Sequence, residues 1–266
     1  MAHRGGGGGP AQEAMFKTLV VGPPNVGKTS FVRRHTLQHF APTIHTIGCE
    51  FSRAEVADVP VLPVDTLVAA GLGDGAPAFD RDAGADSSWS LAGYPAAATE
   101  DVALCVWDLA GQDRAPHIVS TFARGAEGCL VMCDATTPSS WEQAVAWKRS
   151  VDAHTGADGG PPIPVVFLVN KCDVARCAFS ADHMRGFCRQ HGFVGWAETS
   201  AKTGEGVAAA LRLLAAWMIA RRGPARAAAP DGPAPRRPGS VLLTEAGQGR
   251  TAFDARQSGR RCGCRD

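Results

Sequence analysis

The sequence lacks any apolar run that approaches the roughly 18 residues needed to cross a bilayer, and nothing in it repeats at a fixed period. Its first ten residues, MAHRGGGGGP, are too polar for a secretory leader, and Ala2 excludes N-myristoylation, which requires glycine at that position. The nine cysteines lack a disulfide-like spacing, and several lie inside apolar, strand-like runs. We therefore expect an intracellular protein whose cysteines are mostly buried thiols.

The sequence also lacks a marked excess of either charge, since 27 Lys and Arg against 26 Asp and Glu give a formal net charge of +1, but the two signs are unevenly distributed. Residues 57–100 contain seven acidic residues and one arginine, whereas residues 221–266 contain ten arginines and four acidic residues. Both stretches are rich in Ala, Gly and Pro. We expect 57–100 to be a mostly disordered insertion, and residues 1–14 and 222–266 to be flexible terminal segments.

Between these segments, short apolar runs typical of buried strands alternate with stretches of helical period. The predicted strands are 16–21, 49–56, 102–107, 128–133, 164–169 and 193–198. The predicted helices are 27–38, 139–153, 180–191 and 206–221. This alternation predicts one α/β domain over residues 15–221, in which helices cover both faces of a mostly parallel sheet.

The segment VGPPNVGKTS contains the pattern GxxxxGK[ST], from Gly22 to Thr29. It follows a predicted strand and opens a predicted helix, the context in which this pattern forms the phosphate-binding loop of a P-loop NTPase. We expect backbone N–H groups to surround the β-phosphate, Lys28 to neutralise the β- and γ-phosphate oxygens, and the Thr29 hydroxyl to bind Mg²⁺. The predicted nucleotide contacts from this segment are Gly22, Asn25, Val26, Gly27, Lys28, Thr29 and Ser30.

Two adjacent prolines, Pro23 and Pro24, lie in the early part of this loop and lack N–H groups. The donors that face phosphate are expected from Asn25 onward, and asparagine tolerates the left-handed conformation that such a turn requires. We therefore expect binding to survive, with crowding beside the γ-phosphate as the main effect of the prolines.

Two further segments, NKCD and SAK, each follow a predicted strand, and the carboxyl ends of parallel strands meet at one edge of a sheet. The Asp173 carboxylate can accept hydrogen bonds from N1–H and the 2-amino group of guanine. Adenine offers no such pair, so an unpaired carboxylate would reject ATP by roughly 10⁴-fold. An ATP-using enzyme is the alternative, and it predicts that Asp173→Asn leaves nucleotide preference unchanged. The predicted base site comprises Asn170, Lys171, Asp173, Ser200, Ala201 and Lys202.

Within this site, Asn170 and Lys171 are expected to fix the loop and stack on the base, and the Ala201 N–H to meet the guanine carbonyl.

The segment WDLAGQ follows another predicted strand, so that Asp108 can reach the Mg²⁺ shell through water and Gly111 can offer its N–H to a γ-phosphate.

Gln112 is then the candidate for orienting the attacking water. The hydroxyl of Thr46, in TIG, would complete the Mg²⁺ shell only when a third phosphate is present. The predicted catalytic residues are therefore Gln112, Lys28 and Thr46, and the predicted metal site consists of Thr29, Thr46 and, through water, Asp108. The alternative for Gln112 is an ordinary surface amide.

With these motifs the chain resembles a Rab-type GTPase of the Ras superfamily over residues 15–221, apart from the insertion. SSWEQAVAWKRSVD, NKCD and HGFVGWAETSAK are similar to the Rab branch associated with lysosome-related organelles and melanosome traffic. The resemblance implies a six-stranded sheet with five helices, bound GTP or GDP with Mg²⁺, and hydrolysis of GTP. It also implies that Phe40 stacks on guanine and that Phe51, Trp107 and Phe122 form an exposed patch read by effectors; the alternative is three core aromatics.

Three features depart from the family pattern. The spacing from Phe40 to Thr46 is one residue short, Ala115 stands where an aromatic residue is usual, and Pro24 occupies a position where glycine or serine is common. These departures bear on intrinsic hydrolysis and effector identity more than on nucleotide binding. The insertion, in turn, is expected to lie at the opposite end of the sheet from the nucleotide.

The chain ends in CGCRD, in which two cysteines resemble the doubly geranylgeranylated tails of Rab proteins. Two lipid chains on Cys262 and Cys264 would form a stable membrane anchor. Arg265 and Asp266 depart from that pattern, and an unmodified tail is the alternative.

Taken together, the motifs predict a switch that binds and hydrolyses GTP to regulate vesicle trafficking. The alternative is a scaffold that binds GTP but hardly hydrolyses it. The resemblance implies an exchange factor, a GTPase-activating protein, effectors and a prenylation escort as partners, a membrane bound through the lipidated tail, and no nucleic acid. We expect the protein on the cytoplasmic face of endosomal, Golgi-derived or lysosome-related membranes, cycling with the cytosol.

Overall fold

The computed structural model describes residues 14–41, 46–72, 98–111, 115–155 and 162–223, which form one six-stranded sheet and six helices. The strands are β1 (Ala14–Val21), β2 (Cys49–Pro60), β3 (Thr99–Leu109), β4 (Gly128–Asp134), β5 (Val165–Asn170) and β6 (Gly195–Thr199). The helices are α1 (Lys28–Leu37), α2 (Val64–Leu72), α3 (Ala115–Phe122), α4 (Ser139–Thr155), α5 (Ala181–His191) and α6 (Val207–Arg222).

The strand order is β2-β3-β1-β4-β5-β6, with β2 antiparallel to β3 and all other neighbours parallel. Every residue of β4 and β5 is buried, as expected for parallel strands covered on both faces. One apolar core cluster joins the sheet to α1, α2 and α6, and a second joins it to α3, α4 and α5. The expected mostly parallel six-stranded sheet with helices on both faces is thereby confirmed.

The alternation of side chains along the strands explains how the two cores are divided. In β1, Val20 faces the cluster with α6, whereas its neighbours Leu19 and Val21 face the cluster with α4. In β5, Leu168 faces the cluster with α6, and Phe167 faces the cluster with α4. The sheet therefore lies buried between two helical layers, and its strand ends form the surfaces that remain open to a ligand.

The hairpin of β2 and β3 turns at the end of the sheet opposite the phosphate loop. Cys49 pairs with Leu109 at one end, and Pro60 pairs with Thr99 at the other, roughly 35 Å away along the strand. Since β3 is parallel to β1, and the phosphate loop follows the end of β1, the insertion begins and returns at the far end, as expected.

The expectation that residues 57–100 are mostly disordered is wrong for 57–72 and for 98–100. β2 continues to Pro60, the N–H of Val61 donates to the Ala98 carbonyl at 3.0 Å, and α2 follows. Val59, Leu62 and Leu67 are buried in the core cluster with α6. Burial of these apolar side chains stabilises residues 57–72, which are rich in valine and leucine although the insertion as a whole is rich in Ala, Gly and Pro. Residues 73–97 lie outside the described part of the chain.

Two helices, α2 and α3, were missing from the prediction, and each carries a sequence signal in hindsight. In α2, Val64, Leu67 and Val68 recur at helical spacing, directly after Pro63. In α3, Ile118 and Phe122 are four residues apart, and both pack against the core cluster with α4. A high local content of alanine and glycine obscured the first signal, and the shortness of the second helix obscured the other.

We predict opposite effects on stability from alanine at Gly22 and at Gly186. A Cβ atom at Gly22 would lie 2.4 Å from the backbone oxygen of Met132 in the buried strand β4, and the Gly22 φ angle is +146°. Gly22→Ala should therefore lower the free energy of unfolding by about 2–4 kcal/mol. Gly186 lies inside α5, and beyond the helix's own backbone no described atom lies within 4 Å of such a Cβ, so Gly186→Ala should raise the free energy of unfolding by up to about 1 kcal/mol. Urea unfolding measures both, and equal midpoints for Gly22→Ala and the wild type would contradict the account.

Candidate nucleotide-binding site

The loop between β1 and α1 has the backbone geometry that a turn around an anion requires. Asn25 adopts a left-handed conformation with φ +64°, and Gly27 has φ +97°. A Cβ atom at Gly27 would lie 2.5 Å from the Asn170 side-chain nitrogen, so glycine is required there by both conformation and space. Gly27 caps α1 without a side-chain hydrogen bond, which leaves the first N–H groups of the helix uncapped by a side chain.

Lys28 reaches back across this loop. Its Nζ donates to the carbonyls of Gly22 at 2.9 Å and Pro23 at 2.8 Å, and the residue is 7% exposed. Burial lowers the pKa of Lys28 to about 8, although the nearby Asp108 opposes the shift. A buried ammonium in this position favours an added anion, because a phosphate would replace the hydration that the charge has lost.

The three side chains predicted to form the metal site lie together. The Thr29 hydroxyl donates to Asp108 Oδ2 at 2.5 Å, and its oxygen is 2.8 Å from Thr46 Oγ1. Thr46 reaches this position although its spacing from Phe40 is one residue short of the family pattern. The segment before β2, the phosphate loop and the end of β3 therefore meet at one point.

Asp108 is the most unusual group in this cluster. It is 2% exposed, and its Oδ1 is buried without a hydrogen-bond partner among the described residues. Burial raises the pKa of Asp108 to about 6, while the hydrogen bond from Thr29 and the charge of Lys28 oppose the shift. Carboxylate and hydroxyl oxygens are the ligands that Mg²⁺ prefers, directly or through water, so this donor set fits the predicted ion.

Gly111 brings the chain after β3 onto the phosphate loop. A Cβ atom there would lie 2.5 Å from Lys28 Nζ and 2.6 Å from the Pro23 carbonyl carbon. The Gly111 backbone is therefore next to the ammonium that is expected to meet the γ-phosphate. Gln112 lies outside the described residues, so its role in orienting water stays a prediction.

Asn170 joins the two loops of the predicted base site to the phosphate loop. Its Nδ2 donates to the Val26 carbonyl at 2.7 Å, and its Oδ1 accepts from Thr199 Oγ1 and the Ala201 N–H, both at 3.1 Å. The Ala201 N–H, expected to face the guanine carbonyl, is thus engaged by Asn170. Ser200 Oγ donates to Asp173 Oδ1 at 2.7 Å.

Lys202, the last residue of this set, has its Nζ 3.8 Å from the second oxygen of Asp173. The six predicted base-site residues therefore lie on two adjacent loops, although their contacts to guanine stay predictions.

The ion pair of Lys171 with Asp134 was missed by the sequence reasoning. Lys171 Nζ donates to Asp134 Oδ2 at 2.6 Å, and Asp134 also accepts from the N–H and the hydroxyl of Thr136. Burial opposes ionisation of Asp134, but the hydrogen bonds from Lys171 and Thr136 hold its pKa below the usual value. The Lys171 backbone adopts a left-handed conformation with φ +68°, and the ion pair with Asp134 holds its side chain beside the predicted base site. The acidic residue ending β4 was the available signal.

The three aromatic residues of the predicted effector patch form one continuous cluster. Phe51 and Trp107 are directly opposite each other in β2 and β3, with ring centroids 5.3 Å apart, and Phe122 lies 5.4 Å from Trp107. Phe51 is 55% exposed, whereas Trp107 and Phe122 are half-buried against the core cluster with α4. The cluster therefore serves partly as core and partly as surface, and recognition by effectors stays a prediction.

Phe40 follows α1, and 39% of its surface is exposed. Its stacking on guanine stays a prediction. Cys262 and Cys264 lie outside the described residues. Within the described ranges, no helix is both long and apolar enough to span a membrane.

The two shifted pKa values predict a pH window for binding of Mg²⁺ and GDP. Above about pH 8, the free protein loses the Lys28 proton and must regain it on binding phosphate; below about pH 6, Asp108 is protonated and must lose its proton to serve the metal. Affinity should fall on both sides, by up to about tenfold per pH unit for one proton.

Calorimetric titration between pH 5 and 9 measures this profile. Asp108→Asn should weaken the acid limb and leave only the contribution of the nucleotide's own phosphate, whose second pKa is about 6. A flat affinity on the alkaline side would contradict the role given to Lys28.

Several known proteins are similar to this chain over most of its length. The sequence model described as "Ras family" matches residues 91–220. The human protein named Ras-related protein Rab-7L1 is 30% identical over 210 residues, which cover 79% of this chain and 85% of that protein. Ras-related protein Rab-32 of Mus musculus is 31% identical over 213 residues, 79% of this chain and 78% of that protein. Ras-related protein Rab-32A of Dictyostelium discoideum is 31% identical over 207 residues, 76% of this chain and 77% of that protein.

Proposed function

The chain belongs to the Rab branch of the Ras family of small GTPases, and from that membership we propose that it is a guanine-nucleotide-dependent switch in intracellular vesicle trafficking. In this proposal it binds GTP with Mg²⁺, hydrolyses it to GDP and phosphate, and recruits effectors in the GTP state. The observation that carries the proposal is the contact of Thr29 with both Thr46 and Asp108.

These three residues come from segments that a third phosphate would hold together. Thr29 belongs to the phosphate loop, Thr46 to the segment before β2, and Asp108 to the end of β3. A bound Mg²⁺ would neutralise the charge of the β- and γ-phosphate oxygens. Loss of the γ-phosphate would remove a contact shared by Thr46, which lies beside Thr29, and Gly111, which lies beside Lys28. Both loops would then respond to the same hydrolysis step.

Each residue of the phosphate site then has a distinct role. Lys28 binds the β- and γ-phosphate oxygens, and the Gly111 N–H donates to the γ-phosphate. Gln112 holds the attacking water in line with the phosphorus. The family membership supports these roles, and the short distances around Lys28 and Thr29 agree with them.

Hydrolysis is tested by single-turnover conversion of GTP by the purified full chain. We expect Gln112→Leu to slow the step relative to the wild type, because leucine cannot orient water. Gln143→Leu is the matched control, since Gln143 is an exposed glutamine on α4, and it should hydrolyse GTP at the wild-type rate. Equal rates for Gln112→Leu and the wild type would favour the alternative, a scaffold that binds GTP but hardly hydrolyses it.

Membrane association is proposed to depend on lipidation of Cys262 and Cys264, with the arginines before them attracted to anionic lipid. An exchange factor, a GTPase-activating protein and a prenylation escort are the partners that this cycle requires. In cells, replacement of both cysteines by serine should release the protein into the cytosol, whereas Cys105→Ser, within β3, should not. Retention of the double variant on membranes would refute the lipid anchor.

The proposed location is the cytoplasmic face of endosomal, Golgi-derived or lysosome-related membranes. It rests on the similarity to the Rab-7L1 and Rab-32 proteins and on the switch cycle proposed above. Phe51, Trp107 and Phe122 are the proposed recognition surface for effectors, since Phe51 presents an exposed ring on β2, the strand that follows the Thr46 segment of the proposed switch.

A further inference from the structure

Arg34, in the last turn of α1, binds three backbone carbonyls at once. Its Nε donates to the Ala201 carbonyl at 2.9 Å, its Nη2 donates to the Lys202 carbonyl, and its Nη1 donates to the Gln38 carbonyl at 3.4 Å. The stem of the side chain also fits closely, because a Cβ atom at Gly204 would lie 3.6 Å from Arg34 Cδ. One side chain therefore connects the end of α1 to the loop that follows β6.

The loop after β6 is held from two sides as a result. On one side the Ala201 N–H donates a hydrogen bond to Asn170 Oδ1, and on the other side Arg34 Nε donates to the Ala201 carbonyl. A planar guanidinium with five donors can bind several carbonyls in fixed directions, whereas an ammonium on a flexible stem cannot reproduce that geometry. The position of the loop is thus set by a residue that lies 167 positions earlier in the chain.

The third contact reaches the other side of the predicted base site. Gln38 is the left-handed C-cap of α1, with φ +52°, and it precedes Phe40 by two residues. The Arg34 side chain therefore ties the chain leading to Phe40 to the same loop that contains Ser200, Ala201 and Lys202.

We propose that Arg34 is a positioning residue for guanine, which holds the 200–202 loop and the chain before Phe40 together so that bound nucleotide is released slowly. This inference rests on the proposed function, since it assigns the 200–202 loop to guanine. Arg34 touches neither the phosphate loop nor the metal cluster in any described contact. Its loss should change nucleotide release and base selectivity, and leave the chemistry of bound GTP unchanged.

The test compares Arg34→Gln, Arg34→Lys and the control Arg33→Gln in the full chain with saturating Mg²⁺. Arg33 is the adjacent arginine of α1 and pairs with Glu50 instead, so its replacement removes the same charge without touching the loop. Release of a fluorescent GDP analogue should be about 10- to 100-fold faster in Arg34→Gln, intermediate in Arg34→Lys, and unchanged in Arg33→Gln.

Two further readouts separate positioning from general loss of structure. The preference for GDP over ADP should fall in Arg34→Gln, whereas the single-turnover hydrolysis rate of bound GTP should stay within about twofold of the wild type. Unchanged GDP release in Arg34→Gln would overturn the proposal, and so would equally fast release in Arg33→Gln. If Arg34→Gln does not fold, Arg34→Lys decides, and wild-type release in that variant would count against the proposal. The assignment of the base site to guanine is tested separately, by Asp173→Asn. It would be wrong if that variant kept the wild-type preference for GDP over ADP.

Discussion

Asp173→Asn is expected to weaken GDP and GTP binding by about 10⁴-fold, the largest effect that we predict for a single side chain. The carboxylate of Asp173 is placed by the Ser200 hydroxyl at 2.7 Å, on a loop that Asn170 connects to the phosphate loop. Asparagine keeps the size of the side chain but presents one donor group to a guanine edge that itself donates. A bound guanine would then leave a buried donor unpaired, which is the costly case for a hydrogen-bonding site.

Xanthine nucleotides supply the matched rescue for this variant. In xanthine a carbonyl replaces the 2-amino group of guanine, so the amide of Asn at position 173 can donate to it. We expect Asp173→Asn to bind xanthosine diphosphate more tightly than GDP, and the wild type to show the reverse order. Competition titration measures both. An unchanged preference for GDP over ADP in Asp173→Asn would show that the base does not meet this carboxylate.

Lys28→Met is expected to weaken nucleotide binding by about 10²–10³-fold through loss of a buried charge that faces phosphate. Methionine keeps an unbranched apolar stem, so the buried space stays filled. Burial lowers the pKa of Lys28 to about 8, so the folded protein without an anion holds this charge less favourably than water does. We therefore expect the ligand-free variant to unfold no more easily than the ligand-free wild type, while its affinity for GDP collapses.

Lys17→Met is the control for this experiment. Lys17 lies on β1, before the strand reaches the phosphate loop, and its Nζ donates to the Arg124 carbonyl. Removal of that charge should leave GDP affinity unchanged within about twofold. Equal loss of affinity in the two variants would mean that overall charge attracts the nucleotide, and Lys28 would lose its special role.

The elements that the sequence predicted well are those determined by local pattern. Ser180 was expected to open a helix, and in the structure its side chain accepts the His183 N–H at the start of α5. The phosphate loop was readable because its glycines and the GKT triplet stand between a strand and a helix. Asn25 was expected to tolerate a left-handed backbone, and it adopts one.

Features that depend on distant contacts could not be predicted in this way. The segment containing α2 belongs to an insertion that is rich in Ala, Gly and Pro as a whole, and the burial of Leu67 against the core is visible only in three dimensions. The pair of Lys171 with Asp134 joins two strand ends that are far apart in sequence. The same reason concealed Arg34, whose three carbonyl partners carry no sequence signature because every residue has a carbonyl group.

The coupling of Thr29, Thr46 and Asp108 to the terminal phosphate is tested most directly by amide hydrogen exchange of the full chain with Mg²⁺. The protein is compared with a non-hydrolysable GTP analogue and with GDP. We predict slower exchange with the analogue around Thr46 and around Gly111, and equal exchange in α6, whose arginines donate to the carbonyls of Ala57, Pro162 and Met15 and to neither segment. Identical exchange in the two forms at Thr46 and Gly111 would contradict the switch.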